Sequence, residues 1–231
     1  MVKRIYIISG LDNSGKDTVI NYLTQILYKI NSVNKPYFSV IQTHALKPVY
    51  ITKKIATRDT ELNGYFIQYK QSLINNLHAL FYNDIDYLIF NRFYTEEFIY
   101  GQLYRGRSEY ACARLIEITF NLIIGWLIEN EKVTGVRNRQ EAHGWMRKNI
   151  IFIKTDCPSS FLVKNDDNES LSGNNLALID KEQEIFNKYI DILRKLGLTV
   201  INLQTTKKDK RGNTVWLDKE TELKEAIQLI I

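Results

Sequence analysis

Thiols are scarce. Cys112 and Cys157 are the two cysteines in 231 residues; they stand far apart without metal-ligand spacing, and Cys157 lies beside an expected strand end. That pattern argues against a disulfide scaffold of the secreted kind and fits a reducing cytosol. Histidine is sparse too, and His44, His78 and His143 are isolated from the cysteines and from each other, so no metal centre is read from them. Met1-Val2-Lys3-Arg4 leads directly into a strand-like stretch, without the long apolar region and small-residue cleavage site of an export signal. The most apolar run, Leu115 to Ile128, is too short for a membrane span and contains Glu117 and Asn121, so it reads as a buried helix and no membrane partner is expected. Internal repeats are missing as well. With 45% hydrophobic and 25% charged residues the composition is that of an ordinary globular chain, and the length suits one domain over 1–231. The excess of 31 basic over 26 acidic residues suits an anionic ligand without selecting nucleic acid over nucleotides.

Ile5-Tyr6-Ile7-Ile8 is a short apolar run closed by Ser9-Gly10, the pattern of a strand buried on both faces of a parallel sheet. After it Val19, Ile20, Leu23, Ile26, Leu27 and Ile30 recur at helical spacing up to Asn31-Ser32. Further strands are expected at Phe38 to Ile41, Tyr87 to Phe90, Ile150 to Ile153 and Leu198 to Leu203. Helices are expected around Tyr50 to Thr57, Gly64 to Tyr82, Thr95 to Leu103, Glu109 to Asn130, Leu178 to Leu196 and Lys219 to Ile230. Glu131 to Asn149 is polar, basic and aperiodic and reads as a surface loop or insertion, Lys164 to Asn175 as a polar loop, and Thr205 to Thr214 as a hairpin or loose turn. Strands alternating with amphipathic helices predict an α/β fold, an open five-stranded parallel sheet with helices on both faces and its ligand site at the carboxyl ends of the strands.

The first strand and first helix are joined by Gly10-Leu11-Asp12-Asn13-Ser14-Gly15-Lys16-Asp17-Thr18. Gly10-x4-Gly15-Lys16 in that setting lets backbone N–H groups converge on phosphate oxygens while the helix N-terminus adds favourable partial charge. Gly10, Asn13, Ser14, Gly15, Lys16, Asp17 and Thr18 are the candidate cradle, with Lys16 set to bridge the β- and γ-phosphates. The bland alternative is a glycine turn with no nucleotide. The hydroxyl residue that ordinarily follows the lysine and ligates Mg²⁺ is Asp17 here, with Thr18 one place later. Asp17 either ligates the metal, directly or through water, or caps the helix; both readings stand. The loop as a whole predicts an ATP-using P-loop kinase.

Together with Asn91-Arg92-Phe93 at the end of the third strand, this loop resembles that of the thymidylate kinase family of P-loop nucleoside monophosphate kinases, and its Gly-Lys-Asp-Thr variant resembles the phage-type deoxynucleoside monophosphate kinases. Arg92 and Tyr100 fall on the arginine of the family's Asp-Arg-Tyr and on the tyrosine of the following helix, whereas Asn91 and Phe93 depart. Tyr100 to Gly106 is similar to a segment of thymidylate-kinase-like phage proteins. Asp156-x-Pro158 with Leu162 and Lys164 resembles the family's entry into its lid, and Glu184-x-Phe186-x-x-Tyr189 its lid-following helix. Gln42 to Pro48 stands where the family has Arg-Glu-Pro, the lid carries an acidic run from Asn165 to Glu169, and 131–149 is extra, with Lys132, Arg137, Arg139, Arg147 and Lys148.

The resemblance implies a P-loop NTPase three-layer α/β/α sandwich with a lid at about 163–177, ATP and Mg²⁺ as cofactors, a deoxynucleoside monophosphate acceptor with dTMP foremost, a homodimer, and the cytoplasm of the cell or, for a phage protein, of its host. Lys16, Arg92 and Asp12 become the catalytic candidates, Lys164 the lid cation, and Asn91 a neighbour of the metal beside Asp17. Because the attacking phosphate oxygen is already ionised, no general base is required. Phe66, Gln68 and Tyr69 either read the acceptor base or belong to the core. Arg105, with Arg107, either approaches phosphate or forms a surface cation pair; Glu96-Glu97 either contacts a sugar hydroxyl or lies on a solvated helix face. Competing readings are a nucleoside kinase or a kinase of a modified base in DNA, for which 131–149 would supply phosphate contacts, and a nucleotide-binding regulatory protein without catalysis.

Overall fold

The computed structural model describes residues 3–32, 40–44, 59–83, 85–165 and 172–231. The helix expected at Tyr50 to Thr57, the start of the strand expected at Phe38, and the middle of the lid lie outside them. The chain runs β1 (Arg4–Ser9), α1 (Lys16–Ser32), β2 (Val40–His44), α2 (Asp59–Tyr82), β3 (Tyr87–Asn91), a 3₁₀ turn (Tyr94–Glu96), α3 (Glu97–Tyr104), α4 (Glu109–Glu129), α5 (Glu131–Thr134) and α6 (Arg139–Asn149). It continues through β4 (Ile150–Asp156), α7 (Ser159–Lys164), α8 (Leu176–Lys195), β5 (Thr199–Gln204), β6 (Thr206–Lys208), β7 (Thr214–Trp216), a wide turn (Lys219–Leu223) and α9 (Lys224–Gln228).

The main sheet has the order β2-β3-β1-β4-β5, and every neighbouring pair is parallel. Alternation along β1 builds the two faces. Ile5 and Ile7 join Leu88, Phe90, Ile150 and Phe152 against α2, α3, α4, α6 and α8, while Tyr6 and Ile8 join Ile89, Ile151 and Ile153 against α1 and α9. Helices therefore cover both faces, as a sheet apolar on both sides demands. Burial of each large side chain contributes about 1.5–3 kcal/mol. β6 and β7 pair antiparallel in a separate hairpin, the firmer of the two forms expected for Thr205 to Thr214.

Two expectations are corrected. Residues 131–149 are not a loop: α5 ends at Gly135 in a left-handed turn, and α6 follows with Ala142 and Met146 buried in the core. Its apolar stripe is only one side chain wide per turn, which hides the helical period. The cap was visible as Asn138-x-x-Glu141, where the Asn138 side chain accepts from the Glu141 N–H at 3.0 Å. Arg147 and Lys148 lead into β4 at its amino end, the edge of a parallel sheet opposite the phosphate loop. The apolar run at Leu115 to Ile128 belongs to a longer helix, the 21-residue α4, which by length and by a mean hydropathy of 1.6 would suffice to cross a membrane. One side of α4, with Ile116, Phe120, Ile123 and Leu127, packs into the core; elsewhere it carries the exposed pair Arg114–Glu117. Cys112 and Cys157 are free and buried, and burial raises their thiols to about 11 and about 12.

Candidate active site

The turn from β1 into α1 is built so that only glycine fits at position 10. A Cβ there would overlap the Thr155 hydroxyl and come within 2.6 Å of Ser14 Oγ. Those same hydroxyls knit the loop to β4: Ser14 Oγ donates to the Leu11 carbonyl at 2.7 Å and shares a 2.6 Å hydrogen bond with Thr155 Oγ1. Asn13 (φ 58°) and Gly15 (φ 87°) take left-handed conformations, and the Ser14 N–H between them donates to the Leu11 carbonyl at 3.3 Å, closing the loop into a tight turn ahead of α1. α1 begins at Lys16, so the first-turn N–H groups of Lys16, Asp17 and Thr18 lack intrahelical partners and face that end. Lys16 is buried and folds back, its Nζ donating to the Leu11 carbonyl at 2.5 Å. Burial first, and Arg92 second, lower its ammonium to about 8 against the attraction of Asp12, Glu96 and Asp17.

The carboxyl end of β3 delivers Arg92 to the same place. Its N–H donates to the Ile8 carbonyl at 2.9 Å, and its backbone sits at φ 68°, a left-handed conformation that costs a non-glycine residue about 1–2 kcal/mol. The guanidinium donates to Asp12, to Glu96 at 2.9 Å and to the Tyr100 hydroxyl. Burial disfavours its charge, but Tyr100, Glu96 and Asp12 together hold its pKa well above the ordinary arginine value. Glu96 is itself buried and accepts from Ser9 Oγ at 2.6 Å. The solvated-face alternative for Glu96-Glu97 is thereby overturned: Glu96 positions Arg92, and Glu97 pairs with Arg105.

Asn91 and Asp17, 74 positions apart, also meet, the Asn91 amide donating to Asp17 Oδ1 at 2.6 Å. Asp17 thus lies in the first turn of α1 with one oxygen engaged. Among the described residues no group of three or more His, Cys, Asp or Glu is disposed to hold a metal ion. A magnesium ion asks for less, one or two protein oxygens with water and phosphate completing its shell.

Other candidates lie elsewhere. Tyr69 is buried in the core with its ring centroid 5.1 Å from that of Tyr94, so the core alternative holds for it. The side chains of Phe66 and Gln68 fall outside the described residues. Arg105 is buried and donates to Glu97 at 2.6 Å, so the surface-pair alternative fails for it. Lys164 is exposed at the end of α7, where the lid begins.

Glu182 is the residue missed in the sequence. It extends from α8 towards Asp12 and Asn13, 2% exposed, and accepts from the Tyr104 hydroxyl at 3.3 Å. Burial first and Asp12 second raise its carboxyl to about 7. The signal was an acid in the stripe Ile179, Glu182, Phe186, Tyr189, where helical spacing leaves no route to solvent. Below pH 4.5 Glu182 is protonated folded or unfolded; between 4.5 and 7 the folded state holds the extra proton, so its contribution to stability falls as pH rises and is lowest above 7. Glu182→Gln therefore raises the Tm at pH 8, by a stability increment of up to about 3 kcal/mol, and the gain fades towards pH 4.5. Thermal melts across that range check it, and a gain independent of pH would contradict the assigned carboxyl.

A five-stranded parallel sheet with a glycine loop running from β1 into α1, and an arginine at the end of the adjacent β3, fits a P-loop NTPase fold. Within that class the fold is thymidylate kinase-like. The chain is similar to the crystal structure of thymidylate kinase from Ehrlichia chaffeensis, with a TM-score of 0.59, 14% sequence identity and 100% of both chains covered. Two other solved structures align less well. Thymidylate kinase from Candida albicans gives a TM-score of 0.49 at 14% identity over 99% of this chain and 91% of that one. The YorR protein of Bacillus subtilis, in complex with phosphorylated GDP, gives 0.46 at 14% identity over 98% and 94%. No family model and no curated protein sequence matches the chain.

Proposed function

We propose that this chain is an ATP-dependent deoxynucleoside monophosphate kinase, a single catalytic domain that transfers the γ-phosphoryl group to a deoxynucleoside monophosphate, dTMP foremost, and releases the diphosphate. The observation that carries the reading is Arg92, held in a strained backbone conformation by Asp12, Glu96 and Tyr100 beside the buried Lys16. Strain retained at a charged residue next to the glycine loop marks a site under functional constraint. Lys16 neutralises the donor phosphates, and Arg92 spans the acceptor phosphate and the group in transfer as a planar cation. Asp12 and Glu96 aim the guanidinium before substrate arrives. The Asp17 carboxylate and the Asn91 amide oxygen are the donor set that fits magnesium, which when bound would offset charge on the donor phosphates. Lys164 is the lid cation, and Phe66 and Gln68 remain the candidates for the acceptor base. The reading places the protein in the cytoplasm, and by family resemblance as a homodimer.

The test is direct: ATP, Mg²⁺ and each nucleoside and deoxynucleoside monophosphate in turn, with chromatographic detection of diphosphates. Turnover of dTMP or another free monophosphate supports the assignment. Turnover of DNA or nucleosides alone would overturn it, and the position of Arg147 and Lys148 at the far edge of the sheet speaks against DNA approaching the loop by that route.

A further inference from the structure

The residues assigned so far leave the base of the donor nucleotide without a protein surface. The β6–β7 hairpin provides one. It is fastened to the carboxyl end of β4, where the Thr205 N–H and hydroxyl donate to the Asp156 carbonyl at 3.0 and 3.2 Å and the Leu217 N–H donates to the Thr205 carbonyl at 2.9 Å. This brings Trp216 to the exit of the phosphate loop: a Cβ at Gly15 would lie 3.5 Å from the indole. Phe161, from α7, meets the indole edge-on with ring centroids 4.8 Å apart. Trp216 is nonetheless 37% exposed, a large aromatic surface left open to solvent one residue from Lys16.

We infer that Trp216, braced by Phe161, is the stacking platform for the purine of the donor nucleotide. The inference rests on the nucleotide reading of the loop. Phosphates anchored on the N–H groups of residues 13–18 leave the base to project beyond the loop, and Gly15 with the adjoining indole forms the rim there. Stacking needs an aromatic face and no particular pattern of donors, so the platform favours a base over a bare polyphosphate without choosing strongly among purines.

The experiment measures ATP and inorganic tripolyphosphate binding calorimetrically to the wild-type protein, Trp216→Ala and Trp216→Phe, with tryptophan emission recorded in parallel. Trp216→Ala is expected to weaken ATP roughly tenfold while leaving tripolyphosphate unchanged, and Trp216→Phe to keep most of the ATP affinity. ATP, and not tripolyphosphate, should change the emission of the wild-type protein, and Trp216→Phe should abolish that change although Trp126 and Trp145 remain. Unchanged ATP affinity in Trp216→Ala, equal weakening of both ligands, or wild-type emission indifferent to ATP would each overturn the platform, the last even if the alanine variant does not fold. Tripolyphosphate binding without an ATP advantage would remove the platform and spare the loop; failure of both ligands to bind the wild-type protein would remove the loop reading and the platform with it.

Discussion

Arg92→Ala lowers kcat for phosphoryl transfer by roughly a thousandfold or more, with little change in the KM for ATP. The split follows from the position of the side chain. Lys16 and the loop N–H groups hold the donor before and during reaction, whereas Arg92 faces the oxygens on which charge redistributes only as the phosphoryl group moves. Its three partners already fix the guanidinium, so it needs no reorganisation as substrate reacts. Arg92→Lys does not restore the rate, because an ammonium cannot contact Asp12, Glu96 and Tyr100 together while spanning two phosphates. Loss of the arginine also strands Glu96, which is 3% exposed and, among the described residues, keeps Ser9 Oγ and the Phe93 N–H as donors. Circular dichroism therefore accompanies the kinetics, and Glu96→Gln combined with Arg92→Ala removes the stranded charge. A folded Arg92→Ala protein within tenfold of the wild-type kcat would eliminate Arg92 as the transition-state cation.

The parts of this site that the sequence discloses are those written locally. The loop between Gly10 and Thr18 combines residue spacing with a strand before it and a helix after it, and β1, β3 and β4 each contain a continuous apolar run; both kinds of signal survive without knowledge of the rest of the chain. What stays hidden depends on contacts distant in sequence. Asp12 and Arg92 are 80 positions apart and meet only because β1 and β3 are neighbours. Glu97 and Arg105 look like surface charges until α3 packs against α4 and buries the pair. Trp216 sits in a polar stretch where no period marks it, and its place beside Gly15 follows from the hydrogen bonds that tie the hairpin to β4. Glu182 is intermediate: an acid on an apolar stripe announces itself, but the carboxylate it opposes does not.

Lys16→Met abolishes detectable phosphoryl transfer and at the same time stabilises the ligand-free protein. The two effects have one cause. Burial first, and Arg92 beside it second, disfavour the Lys16 ammonium, which donates to the Leu11 carbonyl, and lower its pKa from 10.5 to about 8. That depression corresponds to up to about 3 kcal/mol of stability forgone below pH 8. The sign with pH is definite. Below pH 8 Lys16 is charged folded and unfolded, and the fold carries the whole cost; between pH 8 and 10.5 the unfolded chain binds more protons, so wild-type stability rises towards that of the methionine variant. Denaturation of the two proteins at pH 7 and pH 9.5 thus gives a large gap at the lower value and a smaller one at the higher. ATP reverses the order at neutral pH, since its phosphates add negative charge beside Lys16 and stabilise only the protein that can bind them. A methionine variant less stable than wild type at pH 7 without ligand would mean that the lysine is adequately paired in the free protein and is not held in readiness for an anion.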